Sequence, residues 1–174
     1  MPPRPSAAHL TEAQKVLFEE QGYLVVENAL APAECAYFLG LIEDLDRRHR
    51  AAQGVTEDAF VEIRNAVHKE PRFLELLDWP AAFPLVAELM GPDIQLCTSH
   101  TMVRPPQPKD TPANYKRIGW HRDGSPQVFP VHGTLPWLYT KIGYFLTDLS
   151  RPGMGNLRVI PGSHQRAECP RTPE

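Results

Sequence analysis

The 174-residue chain has little cysteine, no long apolar run and no large excess of charge of either sign. Its three cysteines, Cys35, Cys97 and Cys169, are odd in number and widely spaced, which excludes a disulfide framework and a Cys-x-x-Cys zinc pair. No stretch approaches the roughly 18 apolar residues of a spanning helix, and residues 1–9 lack the apolar core of a secretion signal. We therefore expect a protein with no membrane span in a reducing, cytoplasmic setting.

The sequence also lacks the signals of several functional classes. The net charge of −3 provides no basic footprint for nucleic acid or an anionic membrane. There is no phosphate-binding loop, dinucleotide fingerprint, nucleophile elbow or Ser-His-Asp order. Hydrophobic residues make up 42% and charged residues 22%, as is typical of a soluble globular domain, and the length suits one domain.

Helix signals dominate the first half of the chain. Thr11 and Gln14 form a capping box that begins a short helix, and Gly22 ends it. Pro32 suits the first turn of a longer helix that ends near Gly54, with a charged, solvated far end over residues 46–50. Two short helices are predicted over 71–77 and 82–90, whereas residues 55–70 stay ambiguous.

Strand signals dominate the second half, where much of the proline also lies. Proline accounts for 19 residues and is concentrated in 104–136 and at both ends. We predict strands over 23–29, 94–104, 137–148 and 156–160. The order predicts an α+β domain with a mainly β core. Residues 1–9 are a flexible leader to a single domain over 10–174, with a helical layer over about 10–91, a β core over about 92–164 and a tail over 165–174.

The segment Gly119 to Gly124 carries the best candidate site. On an extended strand, positions i and i+2 point to the same face, so His121 and Asp123 converge on one point. Such a pair suits two ligands of the 2-His-1-carboxylate triad that holds non-haem Fe(II). Since seven histidines and 21 acidic residues produce this spacing by chance, a loop histidine beside a turn aspartate is the alternative.

His164 is a second candidate that the spacing alone leaves open. As a third ligand it would complete a hydrolytic zinc site with His121 and Asp123. The preferred interpretation is a tight turn over Pro161-Gly162-Ser163-His164, in which His164 caps backbone groups.

These segments together resemble the phytanoyl-CoA dioxygenase family, which consists of Fe(II)- and 2-oxoglutarate-dependent oxygenases with a double-stranded β-helix (jelly-roll, cupin-like) core. The matching stretches are the first helix and strand, the entry into the core, the metal-binding triplet and a strand pair that ends in Pro-Gly-Ser-His; they lie at residues 10–26, 91–102, 121–123 and 144–164. The last stretch, at a fixed distance behind the triplet, is the most specific.

The resemblance implies roles for individual residues. His121 and Asp123 would bind iron and so act in catalysis, while Met102, Tyr144 and Asn65 (or Arg64) would contact 2-oxoglutarate. The implied reaction hydroxylates a C–H bond of a small organic or acyl substrate with dioxygen and releases succinate and CO2. The intact Asp123 favours hydroxylation over halogenation, because the halogenating relatives lack this carboxylate.

One departure from the family pattern follows the Pro-Gly-Ser-His signature. In the family a third metal-ligating histidine and an arginine for 2-oxoglutarate come later, and neither occurs before Glu174. We expect a truncated chain with an incomplete jelly roll and weakened iron binding. A non-catalytic jelly-roll binding module is the alternative, and the oligomeric state is left open.

Overall fold

The computed structural model describes residues 7–106, 120, 121, 123 and 137–166. Most of the predicted tail and of the Pro-rich loops, and the leader before residue 7, lie outside these residues. The elements, in chain order, are α1 (Glu12–Gln21), α2 (Pro32–Gln53), β1 (Val61–Arg64), α3 (Ala66–Lys69), a 3₁₀ helix (Pro71–Leu76), α4 (Phe83–Met90), β2 (His100–Val103) and a second 3₁₀ helix (Ser163–Gln165). No helix in this part of the chain is long and apolar enough to cross a membrane.

The ends of α1 and α2 lie where the sequence predicts them. The Thr11 hydroxyl accepts a hydrogen bond from the Gln14 N–H at 3.2 Å, and the Gln14 side chain accepts one from the Thr11 N–H at 3.0 Å. Gly22 ends α1 with φ 81° and Gly54 ends α2 with φ 63°, both in the left-handed region that favours glycine. Both helices and the Thr11 capping box are therefore confirmed.

The far end of α2 differs from its prediction as a solvated, charged end. Arg50 is buried, and its guanidinium donates to the Asp46 carboxylate at 2.7 Å and to the carbonyls of Thr56 and Ala59. A guanidinium has five donors and can be buried only where acceptors surround it. Arg50 thereby ties the turn after α2 back onto the helix, so the predicted solvation is wrong for this residue.

The ambiguous residues 55–70 contain β1, which pairs antiparallel with β2. Val61 opposite Val103 and Ile63 opposite Thr101 lie on the buried face of this sheet. Glu62 opposite Met102 and Arg64 opposite His100 lie on its other face. The alternation of the strands thus separates a core face from a polar face.

The core forms between α2, this sheet and residues 66–79, which follow β1 and precede β2 in the chain. Phe38 and Trp79 are fully buried and meet edge to face, with ring centroids 5.9 Å apart. The Trp79 indole N–H donates to the Ala29 carbonyl at 2.7 Å. The buried cluster comprises Phe38, Leu41, Leu45, Val61, Ile63, Ala66, Phe73 and Trp79.

The strands predicted over 23–29, 137–148 and 156–160 are not found. In the described part of the chain these residues belong to no ladder, and the sheet there has two strands. A strand exists only through a hydrogen-bonded neighbour, which sequence propensity does not supply. The described residues thus show an α+β arrangement, and the double-stranded β-helix stays a prediction, as do the domain limits.

The Pro-Gly-Ser-His turn docks on the C-terminal end of α1. The Gly162 N–H donates to the Gln21 carbonyl at 3.0 Å, and Nε2 of His164 lies 2.9 Å from the Glu19 carbonyl oxygen. The imidazole packs on Gly22 so closely that a Cβ at Gly22 would overlap it. The preferred interpretation of His164, a cap on backbone groups in a tight turn, is confirmed.

We expect Gly22→Ala to destabilise the protein more than Gly54→Ala. Both glycines have positive φ, so each substitution strains the backbone by about 1 kcal/mol. A Cβ at Gly54 meets nothing within 4 Å, whereas a Cβ at Gly22 strikes His164, which adds about 1–3 kcal/mol. Urea unfolding followed by circular dichroism measures the difference. Equal losses in the two variants would contradict the docked position of His164.

Trp79→Phe tests the centre of the core. Phenylalanine lacks the indole donor and leaves part of the site empty, so we expect a loss of about 2 kcal/mol in the free energy of unfolding. Trp137→Phe is the matched control. Trp137 is 44% exposed and phenylalanine keeps an aromatic ring to stack on Phe18, so its effect should stay within about 0.5 kcal/mol. A loss at Trp79 no larger than that at Trp137 would contradict this account of the core.

Candidate metal centre

The side chains of His121 and Asp123 converge. Nε2 of His121 lies 3.3 Å from Oδ1 of Asp123, and both side chains are partly exposed. Two cis ligands about 2.1 Å from an octahedral ion are about 3 Å apart. An imidazole nitrogen and a carboxylate oxygen at this separation therefore fit a single divalent ion that is bound by both. Arg122, between them, lies outside the described residues.

Lys141 is the second partner of the Asp123 carboxylate. Its Nζ lies 2.7 Å from Oδ2, the oxygen that does not face His121. Burial raises the pKa of Asp123, but the hydrogen bond and charge of Lys141, together with His121, outweigh burial and leave that pKa below its ordinary value. Asp123 is thus held as an anion, the form in which a carboxylate ligates a metal.

Arg158 brings a third segment of the chain to this place. Its guanidinium carbon lies 5.2 Å from the centroid of the Trp120 ring, at the distance of a cation–π contact. Trp120 is half-buried and directly precedes His121. Sequence reasoning missed both Lys141 and Arg158, since no motif links either residue to His121. Only knowledge of which segments pack beside His121 could have indicated them.

Three of the residues expected to contact 2-oxoglutarate, Met102, Asn65 and Arg64, lie on or directly beside the two-stranded sheet. Met102 is exposed on the polar face of the sheet, opposite Glu62. Asn65 follows β1 with φ 57° and lines a cavity of about 410 Å³ beside Ser99. Their roles toward 2-oxoglutarate stay predictions, and the same holds for Arg64, whose guanidinium contacts Glu62 at 3.0 Å.

Tyr144 packs against the helical core. Its hydroxyl donates to the Leu76 carbonyl at 2.9 Å, and burial, with a smaller effect of the nearby Asp78 charge, raises its pKa. The phenol therefore stays protonated and anchors its segment to the 3₁₀ helix. Its predicted contact with a co-substrate stays a prediction.

A third protein ligand does not join the pair in the described ranges. Among these residues no group of three or more His, Cys, Asp or Glu side chains could hold an ion. His164 instead contacts the Glu19 carbonyl at the end of α1. The alternative zinc site of His121, Asp123 and His164 is therefore wrong.

Comparison with known proteins gives one match. A family model described as Phytanoyl-CoA dioxygenase (PhyH) matches residues 18–174. No curated protein and no solved structure matches the chain. The matched range contains the converging pair, Lys141 and the Pro-Gly-Ser-His turn, and it spans far more than half of the chain. The chain belongs to the phytanoyl-CoA dioxygenase family.

Proposed function

We propose that the protein is an Fe(II)- and 2-oxoglutarate-dependent dioxygenase that hydroxylates a C–H bond of a small organic or acyl substrate. Family membership supports dioxygenase-type chemistry. The observation that carries the proposal within the chain is the 3.3 Å separation between Nε2 of His121 and Oδ1 of Asp123. This donor set, one imidazole and one carboxylate, is that of two ligands in a non-haem iron triad.

His121 and Asp123 are the residues that would hold the iron. His121 offers a ring nitrogen and Asp123 an anionic oxygen, and the half-buried Trp120 directly precedes His121 in the chain. When bound, Fe(II) and 2-oxoglutarate supply the oxidation of the substrate by dioxygen, with release of succinate and CO2. Cytoplasmic placement, a small-molecule substrate and dioxygen as partners belong to the same proposal.

The proposed core is the jelly roll that the family generally has. The buried sheet face formed by Val61, Ile63, Thr101 and Val103 supports this as a first strand pair. The partly buried side chains of Tyr144 and Leu146 pack against the same cluster. The segment that carries Tyr144 and Leu146 thus lies against the described core.

A non-catalytic binding module is the second candidate. It is favoured by the lack of a third ligand beside His121 and Asp123 in the part of the chain that the structure describes. Two protein ligands bind a divalent ion less tightly than three, so the module would retain the pair without turnover.

Metal titration tests the pair directly. We expect the protein to bind Mn(II), a redox-stable substitute for Fe(II), and His121→Ala to abolish binding because it removes one of two ligands. His9→Ala, which alters an exposed histidine that contacts Glu88 of α4, is the control and should bind as the wild type does. Isothermal titration calorimetry, with and without 2-oxoglutarate, provides the affinities. Unchanged binding by His121→Ala would remove this residue from the site.

Succinate release separates the enzyme from the module. With Fe(II), 2-oxoglutarate and oxygen, we expect the wild type to release succinate and Asp123→Ala to fall to background. Asp93→Ala, at an exposed aspartate between α4 and β2, is the control and should retain the rate. Mn(II) binding without any succinate release would favour the non-catalytic module.

A further inference from the structure

The two oxygens of the Asp123 carboxylate face different partners. Oδ1 lies 3.3 Å from Nε2 of His121, and Oδ2 accepts a hydrogen bond from the Lys141 ammonium at 2.7 Å. We propose that Lys141 is a positioning residue of the metal centre, which holds Asp123 as a monodentate ligand with Oδ1 aimed at the ion. The inference rests on the proposed function, because it requires that His121 and Asp123 bind a metal.

Asp123 needs such a partner because its own torsions do not fix its orientation. The terminal torsion of an aspartate is broad, so a free carboxylate turns either oxygen, or both, toward an ion. A charge-assisted hydrogen bond at 2.7 Å is short and strong enough to select one orientation. With Oδ2 occupied, the remaining oxygen is the one beside the imidazole.

Lys141 is itself held in place from both sides along the chain. Before it, the Trp137 ring stacks on Phe18 of α1 with centroids 4.9 Å apart. After it, the Tyr144 hydroxyl donates to the Leu76 carbonyl at 2.9 Å. The segment is therefore anchored to α1 and to the core, which allows Lys141 to impose an orientation on Asp123 rather than follow it.

The positive charge of Lys141 also repels a metal cation. Repulsion lowers the metal affinity, whereas the orientation of Asp123 raises it. The side chains of Lys141 and Asp123 are 38% and 42% exposed, so water and salt weaken the repulsion. The ammonium also sits on the oxygen that faces away from His121. Loss of a residue that orients a metal ligand typically weakens metal affinity by about 10–100-fold. We therefore expect orientation to outweigh repulsion.

The test compares three variants of the full chain by Mn(II) titration and by the electron paramagnetic resonance spectrum of bound Mn(II). Lys141→Met should weaken binding by about tenfold or more and alter the spectrum. Lys141→Arg keeps a cationic donor and should retain most of the affinity. Lys15→Met is the matched control, since it removes a partly exposed lysine that contacts Glu12 at 2.8 Å, and it should change neither readout.

The outcomes separate this inference from the proposed function. If the wild type binds Mn(II) while Lys141→Met binds it equally or more tightly, the role of Lys141 is overturned and the metal pair stands. If the wild type binds no Mn(II), the proposed function fails and this inference with it. Circular dichroism checks folding; if Lys141→Met does not fold, Lys141→Gln replaces it, with the same expected weakening and the same contradicting result.

Discussion

The packing of Phe38 against Trp79 positions most of the described structure. Phe38 comes from α2 and Trp79 from the segment before α4, and both are fully buried. The indole N–H reaches back to the carbonyl of Ala29, just before α2, so one side chain joins the segment before α4 to the segment before α2. Tyr144 and Leu146 then pack on the same cluster, and Lys141 of the same segment contacts Asp123.

Several long polar side chains use backbone carbonyls as acceptors where chain segments meet. Arg50 donates to the turn after α2, Tyr144 to the 3₁₀ helix, and Trp79 to Ala29. A carbonyl in a turn or at a helix end has no partner in its own element, so a side chain from another segment satisfies it. These hydrogen bonds join segments that are not paired in a sheet. Each requires one donor to meet one acceptor, so they fix the relative position of two segments more specifically than apolar packing alone does.

The predictable parts of this protein are the local ones. The Thr11 capping box and the glycine at the end of each long helix follow from interactions within a few residues. His121 and Asp123, whose side chains converge, are also only two residues apart, so their proximity is a local feature as well. Arg50 was not predicted correctly, because its acceptors, the Thr56 and Ala59 carbonyls, reach it only once the turn after α2 folds back onto the helix. Lys141 was not predicted at all, because its partner Asp123 belongs to another segment that only the fold brings beside it. The apolar stretches at 23–29 and 137–148 fail as strands for the same reason.

The contact between Gly22 and His164 links the first helix to a signature near the other end of the described chain. Backbone and side-chain bonds from Gly162, His164 and Gln165 all end on carbonyls in the last turn of α1. When that turn frays, these bonds are lost together, so the two regions open as one cooperative unit. Amide hydrogens at Gly22 and Gly162 should consequently exchange with solvent at similar rates, despite their separation along the sequence.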